Sequence, residues 1–273
     1  MERAQQIEQS IIKRFRRPIW SRFTKALKEY RLINEGDRVA VCISGGKDSM
    51  LLAKCIQQLQ RYSDVPFSAE YIVMDPGYNP ANRQKIEENA ALLGLPVQIF
   101  ESDIFEVVTA AGQSPCYLCA RMRRGYLYSQ AQKLGCNKIA LGHHFDDVIE
   151  TILMSILYGG EIRSMMPKLH STNFAGMQLI RPLYYVKEKD ITAWAAYNNL
   201  EFIRCACRFT EHVASGVAES KRFEVKKLIE EMKKTNENVE YNLFKSVYNV
   251  NLDTMIGYKS NGKRHHFMDD YID

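Results

Sequence analysis

Apolar residues gather in short strand-like runs at Val39–Ser44, Tyr71–Asp75, Val97–Glu101 and Lys138–Gly142. Between them they follow helical spacing, at about Lys47–Tyr62, Pro80–Leu93, Leu118–Leu134 and Val148–Tyr158. Such β-branched runs suit strands buried on both faces, and their alternation with helices predicts an α/β fold built on a parallel sheet with crossovers. Further strands are expected at Gln178–Pro182 and Glu201–Cys205, with a helix around Lys189–Asn198 between them and helical spacing again from about Glu219. At the front, Ile7, Ile11, Ile12, Phe15 and Ile19 mark an apolar stripe on a helical arm. The chain therefore divides into an arm (1–35), an α/β domain (36–215), a C-terminal helical extension (216–258) and a polar tail (259–273) open to disorder.

Composition narrows the class. The 273 residues, 46% apolar and 25% charged, are ordinary for a soluble globular protein. No apolar run approaches the roughly 18 residues of a membrane span, and Met1–Gln6 lacks a signal-peptide core, so a cytoplasmic location without a membrane partner is expected. Seven cysteines in a reducing compartment point to buried thiols, metal ligands or reactive groups rather than disulfides. Cys42, Cys55 and Cys136 sit within apolar patterns and are expected in the core. Charge is uneven: nine basic against three acidic residues in 1–31 leave +6 there, against +5 for the whole chain. Phe15, Trp20 and Phe23 lie among those cations, and such a helix can bury one face while offering Arg14, Arg16 and Arg17 to RNA phosphates.

The candidate chemistry starts where the first strand ends, at Ser44-Gly45-Gly46-Lys47-Asp48-Ser49. Paired glycines between a strand and a helix let the backbone turn and approach a ligand. The first N–H groups of the helix and its dipole then favour an anion. The spacing fits neither the Walker loop nor the dinucleotide fingerprint. It resembles instead the PP-loop pyrophosphatase superfamily, whose Rossmann-like members split ATP between the α and β phosphates.

A second segment, Gly142-His143-His144-Phe145-Asp146-Asp147-Val148-Ile149-Glu150-Thr151, brings two imidazoles and two carboxylates to the same edge of the sheet. Asp147 with Glu150 imitates a capping box, but capping does not account for both histidines. Carboxylates beside a triphosphate are candidate Mg²⁺ ligands. A third segment, Cys116-Tyr117-Leu118-Cys119, opens a helix that carries Arg121, Arg123 and Arg124, where dipole and cations favour thiolates. Cys205-Ala206-Cys207 supplies further sulfur. An extended Cys-x-Cys sends its side chains to opposite faces, so one of the two is expected to join Cys116 and Cys119. Iron–sulfur, zinc and redox-disulfide readings all remain open on the cysteines alone.

SGGKDS at 44–49, PCYLCARMRRG at 115–125, KIALGHHFDD at 138–147, the pieces at 158–160 and 166–169, and IRPLYYVKEKDI at 180–191 are together similar to the tRNA 2-thiocytidine synthetase family, TtcA. The resemblance runs from the arm to about Asn249. It implies an ATP-dependent sulfurtransferase that thiolates cytidine 32 of tRNA with a 4Fe-4S cluster held by Cys116, Cys119 and Cys207, Cys205 being the alternative third ligand. It further implies an ATP site of Ser44, Gly45, Gly46, Lys47, Asp48, Ser49, Asp75, Gly142 and His144, with Lys47, Asp48 and Asp147 as the catalytic groups. Arg121, Arg123 and Arg124 would join the arm in holding RNA. The implied partners are tRNA and a sulfur donor such as a cysteine desulfurase, with a homodimer open.

The chain departs from the family pattern in three places. Cys205–Cys207 is one residue short, the loop Met74–Tyr78 is shorter, and Phe145 stands where a basic residue is usual. A rival enzymatic reading keeps the ATP chemistry with zinc or a redox cysteine pair and another acceptor, such as uridine. The zinc ribbons usual in the uridine-thiolating relatives are missing from the chain ends. A non-enzymatic rival is a nucleotide-binding iron–sulfur or thiol sensor, against which the paired carboxylates and histidines argue.

Overall fold

A computed structural model of the chain describes residues 2–111, 115–203, 221–269 and 271. It divides into two units, one of Met1–Val148 with Met165–Glu219, the other of Ile149–Ser164 with Ser220–Asp273.

The first unit is built on a six-stranded sheet in the order β3-β2-β1-β4-β6-β5. The strands are β1 (Arg38–Ile43), β2 (Ser68–Asp75), β3 (Val97–Glu101), β4 (Lys138–Ala140), β5 (Lys168–His170) and β6 (Gln178–Ile180). All pair in parallel except β5, which runs antiparallel to β6 at the edge. β1 is buried from Val39 onward, as its unbroken apolar run requires in a sheet covered on both faces. One face packs α3 (Lys47–Tyr62), whose Met50, Leu51, Leu52, Ala53, Cys55 and Ile56 are buried. On the other, Tyr128 and Ala131 of α6 (Pro115–Lys133) join Ala40, Cys42, Ile72, Cys136, Ile139 and Leu179 in one cluster. The three cysteines expected in the core are there, and burial pushes Cys42 up to about 12 and Cys136 up to about 11. Chain order steps one way from β1 to β2 and β3, and the other way to β4 and β6. The sheet's switch point thus lies between the C-terminal ends of β1 and β4.

The arm is two helices, α1 (Arg3–Ile12) and α2 (Ser21–Glu29), joined by one π-helical turn at Arg16–Trp20. Pro18 in that turn has no N–H to continue an α-helical ladder. Ile7, Ile11, Ile19 and Phe23 are fully buried. The arm is also tied down by charge. Buried Lys54 donates to Glu8 Oε2 at 2.9 Å and to the Leu93 carbonyl at 3.0 Å, and Arg61 donates to Glu8 Oε1 at 2.6 Å. Arg14, Arg16 and Arg17 stay exposed, Arg14 lying 4.7 Å from the centre of the Tyr197 ring.

α4 (Pro80–Leu93), α5 (Ile104–Ala111), α7 (Phe145–Gly159) and α8 (Glu188–Tyr197) complete the crossovers, and the break between the units falls inside α7. The second unit adds α9 (Lys221–Thr235) and α10 (Val239–Ser246), which bury Val225, Ile229, Val239 and Phe244.

Two expectations are corrected. The strand expected at Glu201–Cys205 does not form over Glu201–Ile203, which has no regular structure, and its remainder lies outside the described residues. The tail expected to be disordered instead forms a hairpin, β7 (Gly257–Ser260) and β8 (Lys263–His266). Its turn residues Asn261 and Gly262 both take positive φ, +50° and +77°, the left-handed pair that a two-residue hairpin needs. No helix among the described residues is long and apolar enough to cross a membrane.

Candidate active site

The turn after β1 is held open by its own side chains. Gly45 takes φ +85°, and a Cβ there would lie 2.6 Å from side-chain carbons of Ile86 and Ile203, so only glycine fits. The Ser49 hydroxyl accepts from Ser44 N at 3.1 Å and donates to the Gly46 carbonyl at 3.0 Å, with Ser44 Oγ 3.2 Å away. This leaves the N-terminus of α3 facing a cleft of about 420 Å³. Ser44, Asp48 and Ser49 line it on one side, Gly142, His143 and Asp147 on another, and Arg123 and Arg124 of α6 on a third. Met74, Leu127, Ile139 and Leu141 supply apolar wall. The cleft sits at the switch point, where ligands of open α/β sheets bind.

Charge in the cleft is unbalanced. Asp48 Oδ1 and Asp147 Oδ2 both approach His144 Nε2, at 3.8 and 3.5 Å. Burial pushes the Asp48 carboxyl above its ordinary value and the Asp147 charge adds to this, against the pull of His144 and Lys47. Asp48 Oδ1 is buried and makes no hydrogen bond, although Lys47 Nζ is 3.2 Å away. Asp147 also accepts from the His144 backbone N–H at 3.0 Å, so the helix starts at Phe145 and the capping contact runs from Asp147 back to His144, one turn earlier than the Asp147–Glu150 box expected from the sequence. Among the described residues, no three His, Cys, Asp or Glu side chains form a metal cage.

Several expected site residues take other positions. Lys47 turns to Glu188 of α8, 3.0 Å from Oε1, and faces a second recess of about 650 Å³ walled by Thr192, Leu200, Phe202 and Ile203. His144 is buried behind the acidic pair, and its neighbour His143 lines the cleft. Asp75 is engaged by its own short loop. It accepts from Gly77 N, Tyr78 N and Arg83 Nη1 at 2.9, 2.7 and 2.7 Å. Burial would raise its carboxyl, but these bonds outweigh that and hold it below its ordinary value. Phe145 is buried, and Lys187 Nζ lies 5.2 Å from its ring centre, so a cation arrives there from another segment.

α6 carries Cys116 one turn before Cys119. The Cys119 thiol is buried, and its field reaches Tyr78, as does that of Arg123. Cys205 and Cys207 lie outside the described residues. Arg121 is exposed and stands apart from the cleft that Arg123 and Arg124 line.

Sequence reasoning quoted the segment 180–191 but gave no role to its Arg181 and Glu188. Arg181 is 8% exposed, reaches His143 Nδ1 at 3.4 Å and donates to the Met166 carbonyl. It forms no ion pair with a carboxylate among the described residues, and burial draws its pKa down to about 10. Glu188 joins the two motifs, pairing with Lys47 while its N–H donates to Asp146 Oδ2 at 2.7 Å. A polar residue at each end of Arg181–Glu188, just after a strand, was the available signal.

A strand–glycine turn–helix at the switch point, faced by a second loop of histidines and aspartates, defines a PP-loop protein, and residues 16–207 match the PP-loop domain family. The chain is 36% identical over 235 residues to the tRNA-cytidine(32) 2-sulfurtransferase of Citrifermentans bemidjiense, covering 85% of this chain and 90% of that one. It is 39% identical over 233 residues to the protein of the same name from Coxiella burnetii, covering 83% and 87%. It belongs to the tRNA-cytidine(32) 2-sulfurtransferase family. The U34-tRNA thiolase NcsA from Methanococcus maripaludis, solved with its 4Fe-4S cluster, shares the fold. It has a TM-score of 0.66 at 19% identity, covering 84% of this chain and 76% of that one.

Proposed function

We propose that the protein is an ATP-dependent tRNA sulfurtransferase that adenylates and then thiolates cytidine 32. The observation that carries this reading is the single cleft shared by the Ser44–Ser49 turn, the Gly142–Asp147 loop and the α6 arginines, in a chain of this family.

The N–H groups opening α3, with Ser44, receive ATP phosphates, and Arg123 and Arg124 offset charge as it builds on the leaving pyrophosphate. The buried Asp48 Oδ1 that lacks a hydrogen bond, and Asp147 beside it, are hard oxygen donors that fit Mg²⁺. A cation that takes one or two carboxylates and fills its shell with phosphates and water needs no protein cage. The cytosine O2 displaces pyrophosphate from the α phosphorus, which makes AMP the leaving group at C2. AMP then departs as sulfur takes its place. Reaching C2 requires the base to be splayed from the anticodon-loop stack, which exposed Arg14, Arg16 and Arg17 assist by holding the backbone.

The donor set suits a 4Fe-4S cluster. Cys119 is buried near the arginine that lines the cleft, and Cys116 precedes it by one helical turn. Ile203, whose side chain lies against the Gly45 turn, is two residues of chain from Cys205 and four from Cys207, at most about 7 and 14 Å. When bound, a cluster held by three cysteines supplies an iron without a protein ligand, open to exogenous sulfur.

The test is pyrophosphate release on mixing ATP with tRNA, followed by nucleoside mass spectrometry for 2-thiocytidine, with anaerobically reconstituted protein and Cys116→Ala. Thiolation by the variant, or its absence from the wild type while pyrophosphate is released, removes the proposed chemistry. A tRNA substrate is consistent with a cytoplasmic location.

A further inference from the structure

The hairpin Gly257–His266 lies beyond the residues that match the PP-loop domain. Seven of the eight residues in its two strands are exposed and His265 is half-buried, so it contributes little core. A two-stranded ribbon of this kind is marginal by itself.

Its register makes the ribbon less stable still. Lys259 stands directly opposite Arg264, and Lys263 occupies the end pair with Ser260. Like charges across a strand pair are unfavourable. No carboxylate pairs with Lys259, Lys263 or Arg264 among the described residues, and the segment Gly257–Phe267 contains no acidic residue at all. On the other cross-strand pair, the rings of Tyr258 and His265 stack 4.6 Å apart and 9° from parallel. Phe267 follows, 47% exposed, and Tyr271 is 60% exposed. The hairpin also borders a hollow of about 420 Å³ lined by Tyr258, Lys259, Arg264, His265, His266 and Asp269, whose carboxylate accepts from the His266 N–H at 2.8 Å and forms no ion pair with the cations.

We infer that this hairpin is an RNA-binding element that helps hold the tRNA substrate. Uncompensated cations facing one another cost the free protein stability, and a phosphate backbone lying between them removes that cost. The rings of Tyr258 and His265 lie on the opposite face of the ribbon, which also carries Lys263, and flat rings beside a cation suit unstacked bases, which every sequence offers. The chemistry favours RNA over an anionic membrane surface, because the exposed groups beside the cations are planar rings rather than an apolar helix face. The inference rests on tRNA being the substrate.

The experiment measures tRNA binding by full-length protein through fluorescence anisotropy across a salt series, for the wild type and for Lys259→Ala/Lys263→Ala/Arg264→Ala. The expected result is a Kd raised about tenfold and a log–log salt slope shallower by about 2, at roughly 0.7 per single-strand phosphate lost. ATP-binding affinity should not change. Tyr258→Ala should weaken binding with the slope unchanged, and Tyr258→Phe should restore it. Equal tRNA affinity and slope in the triple variant overturn the hairpin's role and leave the sulfurtransferase reading intact. Wild-type protein that binds no tRNA overturns both. Wild-type protein that binds phosphatidylserine vesicles more tightly than tRNA through these cations gives the surface to membranes and overturns the inference.

Discussion

Gly142→Ala tests whether the two motifs form one site. A Cβ at residue 142 would stand 3.0 Å from Asp48 C, 3.0 Å from Ser49 N and 3.1 Å from Ser49 Cα. Ordinary contact begins near 3.4 Å, so β4 and the start of α3 must part by about 0.4 Å. All three atoms are backbone, and the helix behind them is fixed by buried Met50, Leu51 and Leu52. Overpacking of this kind costs about 1–3 kcal/mol, a fall in Tm of roughly 2–10 °C for a chain of this size. The shift also moves the phosphate-binding turn relative to Asp147. Since about 1 Å of misplacement costs some hundredfold in rate, tRNA-dependent pyrophosphate release should drop about tenfold. Gly159→Ala is the control, because nothing lies within 4 Å of its added Cβ and a helical alanine gains about 0.5–1 kcal/mol. If Gly142→Ala melts and turns over like the wild type, the close approach of β4 to the loop is not what organises the cleft.

Three further outcomes are expected. Arg181→Gln removes a buried guanidinium that reaches His143, a residue lining the cleft, and that pairs with no carboxylate among the described residues. Loss of a charge-assisted contact of about 1.5–3 kcal/mol should raise the ATP KM about ten- to hundredfold, and an unchanged KM assigns Arg181 to folding alone. Cys119→Ala should retain pyrophosphate release but lose 2-thiocytidine and bound iron, so thiolation at wild-type rate by this variant excludes Cys119 as a ligand. Asp37 accepts from buried Lys138 at 2.5 Å, Asn34 N at 2.6 Å and Asn137 Nδ2 at 2.8 Å. Burial alone would raise its carboxyl, but these bonds outweigh it and hold the carboxyl below its ordinary value. A depressed pKa means the contribution is complete above the unfolded value and fades as pH falls through the folded one. Asp37→Asn should therefore cost about 3–5 kcal/mol at pH 7, where it strands Lys138, and less below about pH 4. Urea midpoints at pH 7 and pH 3 check this, and a gap that does not change with pH refutes it.

The alternation of apolar runs, the glycine turn after the first strand and the His–Asp loop after the fourth were legible in the chain because each rests on local rules. Buried parallel strands are apolar throughout, a turn with positive φ calls for glycine, and a carboxylate caps the helix it opens. The stripe Ile7–Ile19 likewise announced a packed arm. The orientation of individual polar groups was not legible. Lys47 lies in the loop motif, yet its ammonium is taken by Glu188, 141 residues further on. His144 looked like the ligand-facing imidazole, yet burial behind two aspartates leaves His143 on the cleft. Arg181 sits in the segment 180–191 that resembles the family, but its part there was not legible, because it lies in being buried with no carboxylate paired to it among the described residues, and burial depends on the whole sheet. The polar tail pattern contained the Asn261-Gly262 turn, but hydrophobic periodicity cannot detect a hairpin that buries almost nothing. Local sequence thus determined the elements and the class of chemistry at the end of β1. Tertiary structure decided which charges meet, because electrostatic partnership is set by distances across strands and helices far apart in the chain.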